Sequence, residues 1–317
     1  MKQFISVEDV PGVPQMVDIA LDYKKNPFKE KGLGENKTLG MIFLNPSLRT
    51  RLSTQVAARN LGMEVVVFNI DKEGWALEMN DGVVMNGNTT EHVKEAAAVM
   101  GQYFDILSIR TFPGLKNKEE DYTEKYINQF IKYAGKPVIS LESATLHPLQ
   151  SLTDAITIRE QWGQPRKPKV VMTWAPHVKP LPQAVPNSFA QWMNAWDEVD
   201  FSIAHPEGYE LDPKFSGNAK IYHNQQEAME GADFVYVKNW SSYTDYGKIL
   251  NSDPAWMVTN ETLKNTANAK VMHCLPVRRN VVIADEVLDG PQSIVIPEAG
   301  NRTWAAQAVI SEILKNR

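Results

Sequence analysis

One cysteine, Cys274, stands in 317 residues. It excludes an internal disulfide and leaves no paired-cysteine metal motif. No apolar run approaches membrane-spanning length. The segment Met1–Val10 carries Glu8 and Asp9 and lacks the apolar core of a secretory leader. Basic charge is not in excess. The net charge of −5, with no basic aromatic tract, argues against general nucleic-acid binding. The glycine cluster Gly32-Leu33-Gly34 precedes a strand-like run and lacks the third glycine of a dinucleotide fingerprint, which counts against a dinucleotide-dependent oxidoreductase. No fixed short repeat recurs. What remains is ordinary: 43% hydrophobic and 22% charged residues, in a chain long enough for two domains with ample core. A cytoplasmic protein is expected, with neither membrane nor nucleic acid as partner. Acidic overall, it must concentrate positive charge locally if its substrates are anions.

Strand-like and helix-like runs alternate. In the first half the strands are expected at Leu39–Leu44, Met63–Ile70, Asp105–Arg110 and Pro137–Leu141, and the helices at Thr50–Leu61, Thr90–Gln102 and Asp121–Tyr133. An amphipathic stretch, Leu149–Trp162, joins the halves, and the polar segment 163–168, with Pro165 and Pro168, marks a linker. The second half offers strands at Lys169–Trp174, Val199–Ala204, Phe234–Lys238, Lys270–Leu275 and Ser293–Pro297, and helices at Ser188–Asn194, Gln225–Met229 and Asn301–Leu314. Such alternation implies an α/β fold of two parallel-sheet domains with a cleft between them. The expected partition is 1–150 and 151–300.

The run Ser47-Leu48-Arg49-Thr50-Arg51 follows the first strand-like run and precedes Leu52, Val56, Ala57 and Leu61 at helical spacing. Ser47 therefore falls where an N-cap belongs. Free backbone N–H groups, hydroxyls and guanidinium groups would converge there, a setting for phosphate. Alone, the pentapeptide reads more readily as a capped helix start with surface arginines. Two later blocks, His147-Pro148-Leu149-Gln150 and His273-Cys274-Leu275-Pro276, also follow strand-like runs, and Arg110 ends another. Open α/β sheets bind ligands beyond such strand ends.

Together these four elements resemble the transcarbamylase family over nearly the whole chain. The resemblance implies carbamoyl transfer from carbamoyl phosphate to an amine. It assigns Ser47, Leu48, Arg49, Thr50 and Arg110 to phosphate and carbonyl oxygens, His147 to the carbonyl oxygen, Gln150 to the carbamoyl NH2, and Cys274, Leu275 and Arg302 to the same end of the site. Arg49, Thr50, Arg110, His147, Gln150 and Cys274 are the implied catalytic set. Neither metal nor organic cofactor is implied. The last helix, 301–317, is expected to complete the first domain. Trp75, and the loop 81–91 after it, would reach a neighbouring subunit's site in a homotrimer.

The segment 176–187 carries Pro176, Pro180, Pro182 and Pro186. Its prolines stiffen a loop. It resembles the proline-rich loop of transcarbamylases acting on N-acylated ornithine, in which later chain passes through the loop as a trefoil knot. By the same resemblance Glu142, His177, Lys238 and Arg278 line the acceptor pocket. Thr90 and Lys179, with Pro182 and Val282, bear on the acyl group. Acetylornithine enzymes carry glutamate where Thr90 stands, whose charge would repel a succinyl carboxylate. N-Succinyl-L-ornithine is therefore the expected acceptor and N-acetyl-L-ornithine the alternative. Lys179 and Thr90 depart from the succinyl pattern of arginine and proline, and lysine lacks the bidentate fork. A noncatalytic phosphate sensor of the same fold would have lost Arg49, His147 or Arg278, and all three are present.

Overall fold

A computed structural model describes residues 1–316. Arg317, the end of the expected last helix, lies outside the described residues. Parallel strands β1 (Thr38–Phe43), β2 (Glu64–Asn69), β5 (Ile106–Arg110) and β6 (Val138–Glu142) form one sheet in the order β2-β1-β5-β6. A second parallel sheet takes β7 (Lys169–Trp174), β8 (Asp200–Ala204), β9 (Lys220–Tyr222), β10 (Phe234–Lys238) and β11 (Lys270–Met272) in the order β11-β10-β7-β8-β9. A two-stranded ribbon, β3 (Leu77–Glu78) with β4 (Glu91–His92), brackets the loop between them. Central strands β1, β5, β7 and β10 are almost wholly buried, as the unbroken apolar runs require when helices cover both faces.

One apolar core runs under the first sheet and on into the second half, from Met41 and Phe43 to Trp174, Phe189 and Tyr236. The helix Val295–Lys315 packs against the helices Arg49–Asn60, Pro148–Gln161 and Val13–Lys25. It starts beside β11, where Ser293 bridges Val271, and runs along the helices of the first half.

Four expectations need correction. Ser47 is not a helix cap: the helix begins at Arg49, Leu48 holds the cap position in αR geometry, and no side chain caps it. Ser293–Pro297 is no strand. The helix already starts at Val295, because Pro297 in a first turn gives up an N–H that the helix does not use. Asp121–Tyr133 is two helices, Lys118–Tyr122 and Lys125–Tyr133, parted at Glu124, whose φ is +52°. The proline-bearing segment does not stay irregular to residue 187, since Ala184–Asn194 is helical with Pro186 in its first turn. On Arg49–Asn60 the buried face is Thr50, Thr54, Ala57 and Ala58, while Leu52 and Val56 face outward.

Candidate active site

The carboxyl ends of β1, β5, β6, β10 and β11 point into one cavity of about 620 Å³ between the two sheets. Its wall takes Arg49 and Thr50 from a helix start, Arg110 and Glu142 from the last residues of β5 and β6, and Lys238 from the end of β10. Cys274 and Leu275 come from the turn after β11, and Arg302 from the C-terminal helix. Ser47, His147, Gln150, His177 and Arg278 line it too. Four expected residues are not in this wall: Leu48, Trp75, Thr90 and Lys179. Leu48 is 69% and Trp75 53% exposed, and Thr90 and Lys179 are also on the surface.

The cavity is cationic. Arg110 pairs with Glu142 through a short contact, and His147 Nε2 lies 3.6 Å from the same carboxylate. Lys238 is buried and has no ion-pair partner among the described residues. Burial, with a lesser push from Arg110, lowers the pKa of Arg49. Burial, then the charge of Arg49, brings that of Arg302 down to about 10. Clustered guanidinium groups repel one another, and an anion set among them removes that cost.

His147 holds the N-cap position of Pro148–Gln161, yet its ring makes no cap bond and turns to the cavity. Burial, reinforced by Arg302, Arg110, Arg49 and Lys238, drives its pKa well below the ordinary value. A neutral imidazole keeps one N–H to donate. The turn before it is fastened by Glu124, whose carboxylate accepts from Thr145 N at 2.7 Å and Ala144 N at 3.1 Å.

Behind the wall lies a network the sequence did not announce. Arg302 donates to Thr50 Oγ1 at 2.5 Å and, through a short bond, to Gln150 Oε1. Gln150 Nε2 donates to Asp154 Oδ1 at 2.7 Å and to Glu298 Oε1 at 3.4 Å. Glu298 Oε2 accepts from His273 N at 2.9 Å. Burial raises the pKa of both carboxyls, and the charge of Asp154 raises that of Glu298 further, while hydrogen bonds from Gln150 and Glu298 oppose the rise at Asp154. The Gln150 amide is thus held from both ends, with its oxygen toward Arg302. His273 Nδ1 accepts from Leu275 N at 2.8 Å and pins the turn that carries Cys274. Enclosure keeps the Cys274 thiol protonated, since its pKa is pushed up. Glu124 and Glu298 were missed because each acts on residues remote in sequence, whereas Asp154 bonds Gln150 only one helical turn away. A carboxylate one turn from Gln150 on the same helix, as Asp154 is, was the one available signal.

On the other wall, Leu181, Pro182 and Val185 give an apolar rim beside His177. Leu181 O accepts from Ser241 N at 2.9 Å, and Gln183 Nε2 donates to Ser241 O at 3.0 Å. Val282 is not a lining residue. It is buried, and its N–H donates to Arg278 O at 2.9 Å, so it acts on the cavity only through that turn.

A family model described as the aspartate/ornithine carbamoyltransferase carbamoyl-P binding domain matches residues 2–160. A second, the Asp/Orn binding domain, matches residues 184–313. The N-succinylornithine carbamoyltransferase of Bacteroides fragilis is 55% identical over 318 residues, spanning 100% of this chain and 99% of its own. The N-acetylornithine carbamoyltransferase of Xanthomonas campestris pv. campestris is 35% identical over 310 residues, spanning 90% of this chain and 91% of its own. Acetylornithine transcarbamylase complexed with acetylcitrulline superposes with a TM-score of 0.90 at 33% identity, covering 99% of each chain. A glutamate-to-alanine variant of N-acetyl-L-ornithine transcarbamylase, complexed with carbamyl phosphate and N-succinyl-L-norvaline, gives the same TM-score of 0.90 and identity of 33%, covering 99% of this chain and 100% of its own.

Proposed function

Because the chain belongs to the aspartate/ornithine carbamoyltransferase family, we propose that it transfers the carbamoyl group of carbamoyl phosphate to the side-chain amine of N-succinyl-L-ornithine. The products are N-succinyl-L-citrulline and phosphate, a step of arginine biosynthesis in the cytoplasm. The observation that carries the reaction is the convergence of Arg49, Thr50, Arg110, His147 and Arg302 on one cleft. The acyl group is supported by the greater identity with the succinylornithine relative than with the acetylornithine one.

Phosphate binds at the start of Arg49–Asn60, where backbone N–H groups and Arg49 face the cavity. The amine nitrogen attacks the carbonyl carbon, negative charge gathers on the carbonyl oxygen and the leaving phosphate, the bond to phosphate oxygen breaks, and the phosphate takes the proton the amine gives up. Neutral His147 donates to the first, and Arg49 and Arg110 stabilise both. Gln150, fixed by Arg302 and Asp154, accepts from the carbamoyl NH2. Its oxygen has a second lone pair for this. Arg110 must leave Glu142 for the phosphate, which frees Glu142 for the acceptor. Lys238, His177 and Arg278 attract the acceptor's carboxylates.

The acyl choice is tested by initial rates with ornithine and its N-acetyl and N-succinyl derivatives side by side. N-Succinylornithine is expected to have the highest kcat/KM, and Thr90→Glu to shift preference toward the acetyl compound. A higher wild-type kcat/KM for the acetyl compound overturns the assignment, whatever the variant does.

The proposed assembly is a homotrimer with shared sites. Trp75 is exposed and lies outside its own chain's cavity, with its indole N–H on Glu91 Oε2 at 2.8 Å. The outward row Leu48, Leu52 and Val56 adds apolar surface that a partner would cover. Trp75→Ala and Arg49→Ala chains, each poorly active, are expected to regain turnover in mixed trimers. Mixed trimers that stay as inactive as the parents refute sharing. The proposed domain partition at residue 150 falls inside a helix, Pro148–Gln161, that packs on both halves, against Val13–Lys25 and Ala184–Asn194. The proposed knot would thread later chain through the loop 176–187, which Ser241 touches through its bonds with Leu181 and Gln183. Among the described residues no helix is long and apolar enough to cross a membrane.

A further inference from the structure

Away from the cleft wall, the second sheet brings two histidines together. β8 and β9 run parallel with Ala204 opposite Tyr222, so the next residues, His205 and His223, emerge side by side at their carboxyl ends. Their rings sit 5.2 Å apart at 78°. Glu210, on the loop after β8, joins them, and one ligand atom from each of the three lies within 4.8 Å of the others.

The ring hydrogen bonds bear on what these histidines can do. His205 Nδ1 faces Pro206 O at 2.8 Å, and His223 Nδ1 faces His205 O at 3.1 Å. A carbonyl oxygen only accepts, so each Nδ1 carries the proton and each Nε2 keeps its lone pair. Histidines that bind metals are oriented in this way, by an N–H given to a backbone carbonyl. Only 1% of His205 is exposed. His223 and Glu210 are on the surface, free to close the remaining distance to bonds of about 2.0–2.2 Å.

We propose that His205, His223 and Glu210 bind one divalent ion of the zinc class, with the fourth position open to water. Two imidazoles and a carboxylate suit such an ion better than magnesium or calcium, which prefer sites made of oxygen alone. The ion would clip β9, an edge strand of three residues, to β8. None of the three ligands lines the proposed reaction cavity, so the site is separate from carbamoyl transfer.

The test is a zinc titration of the chelator-treated full-length protein by calorimetry, with cobalt as a spectroscopic probe. One zinc per chain is expected to bind at micromolar affinity or tighter and to raise the melting temperature. Cobalt should give the visible absorption of a low-coordinate nitrogen–oxygen site, and magnesium should not compete. Exposed positions make the variants safe for folding. His223→Ala and Glu210→Gln are each expected to weaken zinc by at least about tenfold, the lower end of what losing even a supporting group costs. Both should keep wild-type turnover without metal. No zinc uptake overturns the proposal. So does uptake that both variants retain unchanged, which would place the ion elsewhere.

Discussion

Arg49→Ala is expected to lower kcat/KM for carbamoyl phosphate by at least about 10²-fold and leave the fold intact. Arg49 is the first residue of its helix, and its Nε has no hydrogen-bond partner among the described residues. Its side chain therefore adds little to folding, and its burial costs solvation that a bound anion restores. A charge-assisted hydrogen bond is worth about 1.5–3 kcal/mol. Donors whose bonds strengthen as charge develops are worth about 10²–10³ in kcat. The loss should thus appear in kcat as well as in KM. Near-normal kcat/KM with unchanged melting refutes the placement of phosphate at this helix. A variant that melts early instead would show that Arg49 is structural.

Trp174→Ala is expected to cost about 3–5 kcal/mol, the range for removing a large aromatic from a packed core. Trp174 ends β7 with no exposed surface. Its ring lies 4.7 Å from Tyr209 and 6.0 Å edge-on to Trp256, and its indole N–H donates to Trp240 O at 3.0 Å. Truncation leaves a cavity and an unpaired buried carbonyl two residues beyond Lys238. Denaturant unfolding followed by fluorescence measures the loss. A change under about 1 kcal/mol would mean that the site collapses around the smaller side chain. Activity should fall with stability, since the strand end that presents Lys238 loses its support.

The parallel strands were legible because burial on both faces writes them as apolar runs. Lys169–Trp174 and Phe234–Lys238 appear with their expected bounds. The cleft was legible through polar residues placed just after such runs, and Arg49, Arg110, His147, Gln150, Lys238 and Arg302 do meet there. Local chemistry misled where tertiary packing decided. Ile294-Val295-Ile296 is β-branched and reads as strand, yet the chain winds into a helix that buries Val295 and leaves Ile296 72% exposed. Leu52 and Val56 read as core, and they face outward in the single chain. The supporting network was illegible for a plainer reason. Gln150 and Glu298 are 148 residues apart, and no local period can announce a bond of that span.

Synthesis runs from the N-terminus, and the C-terminal helix gives that direction a consequence. The first sheet leaves the ribosome with Thr50 and Gln150 in place, but Arg302, their common donor, follows Gln150 by 152 residues. At about 5–20 residues per second the delay is about eight to thirty seconds. Until then Gln150 lacks its bonds to Arg302 and Glu298, and His273 lacks its carboxylate acceptor. A nascent or prematurely terminated chain would therefore hold a half-built cleft, poor at capturing carbamoyl phosphate. The enzyme would switch on only as its final helix docks, so aborted translation products would be inert rather than partly active.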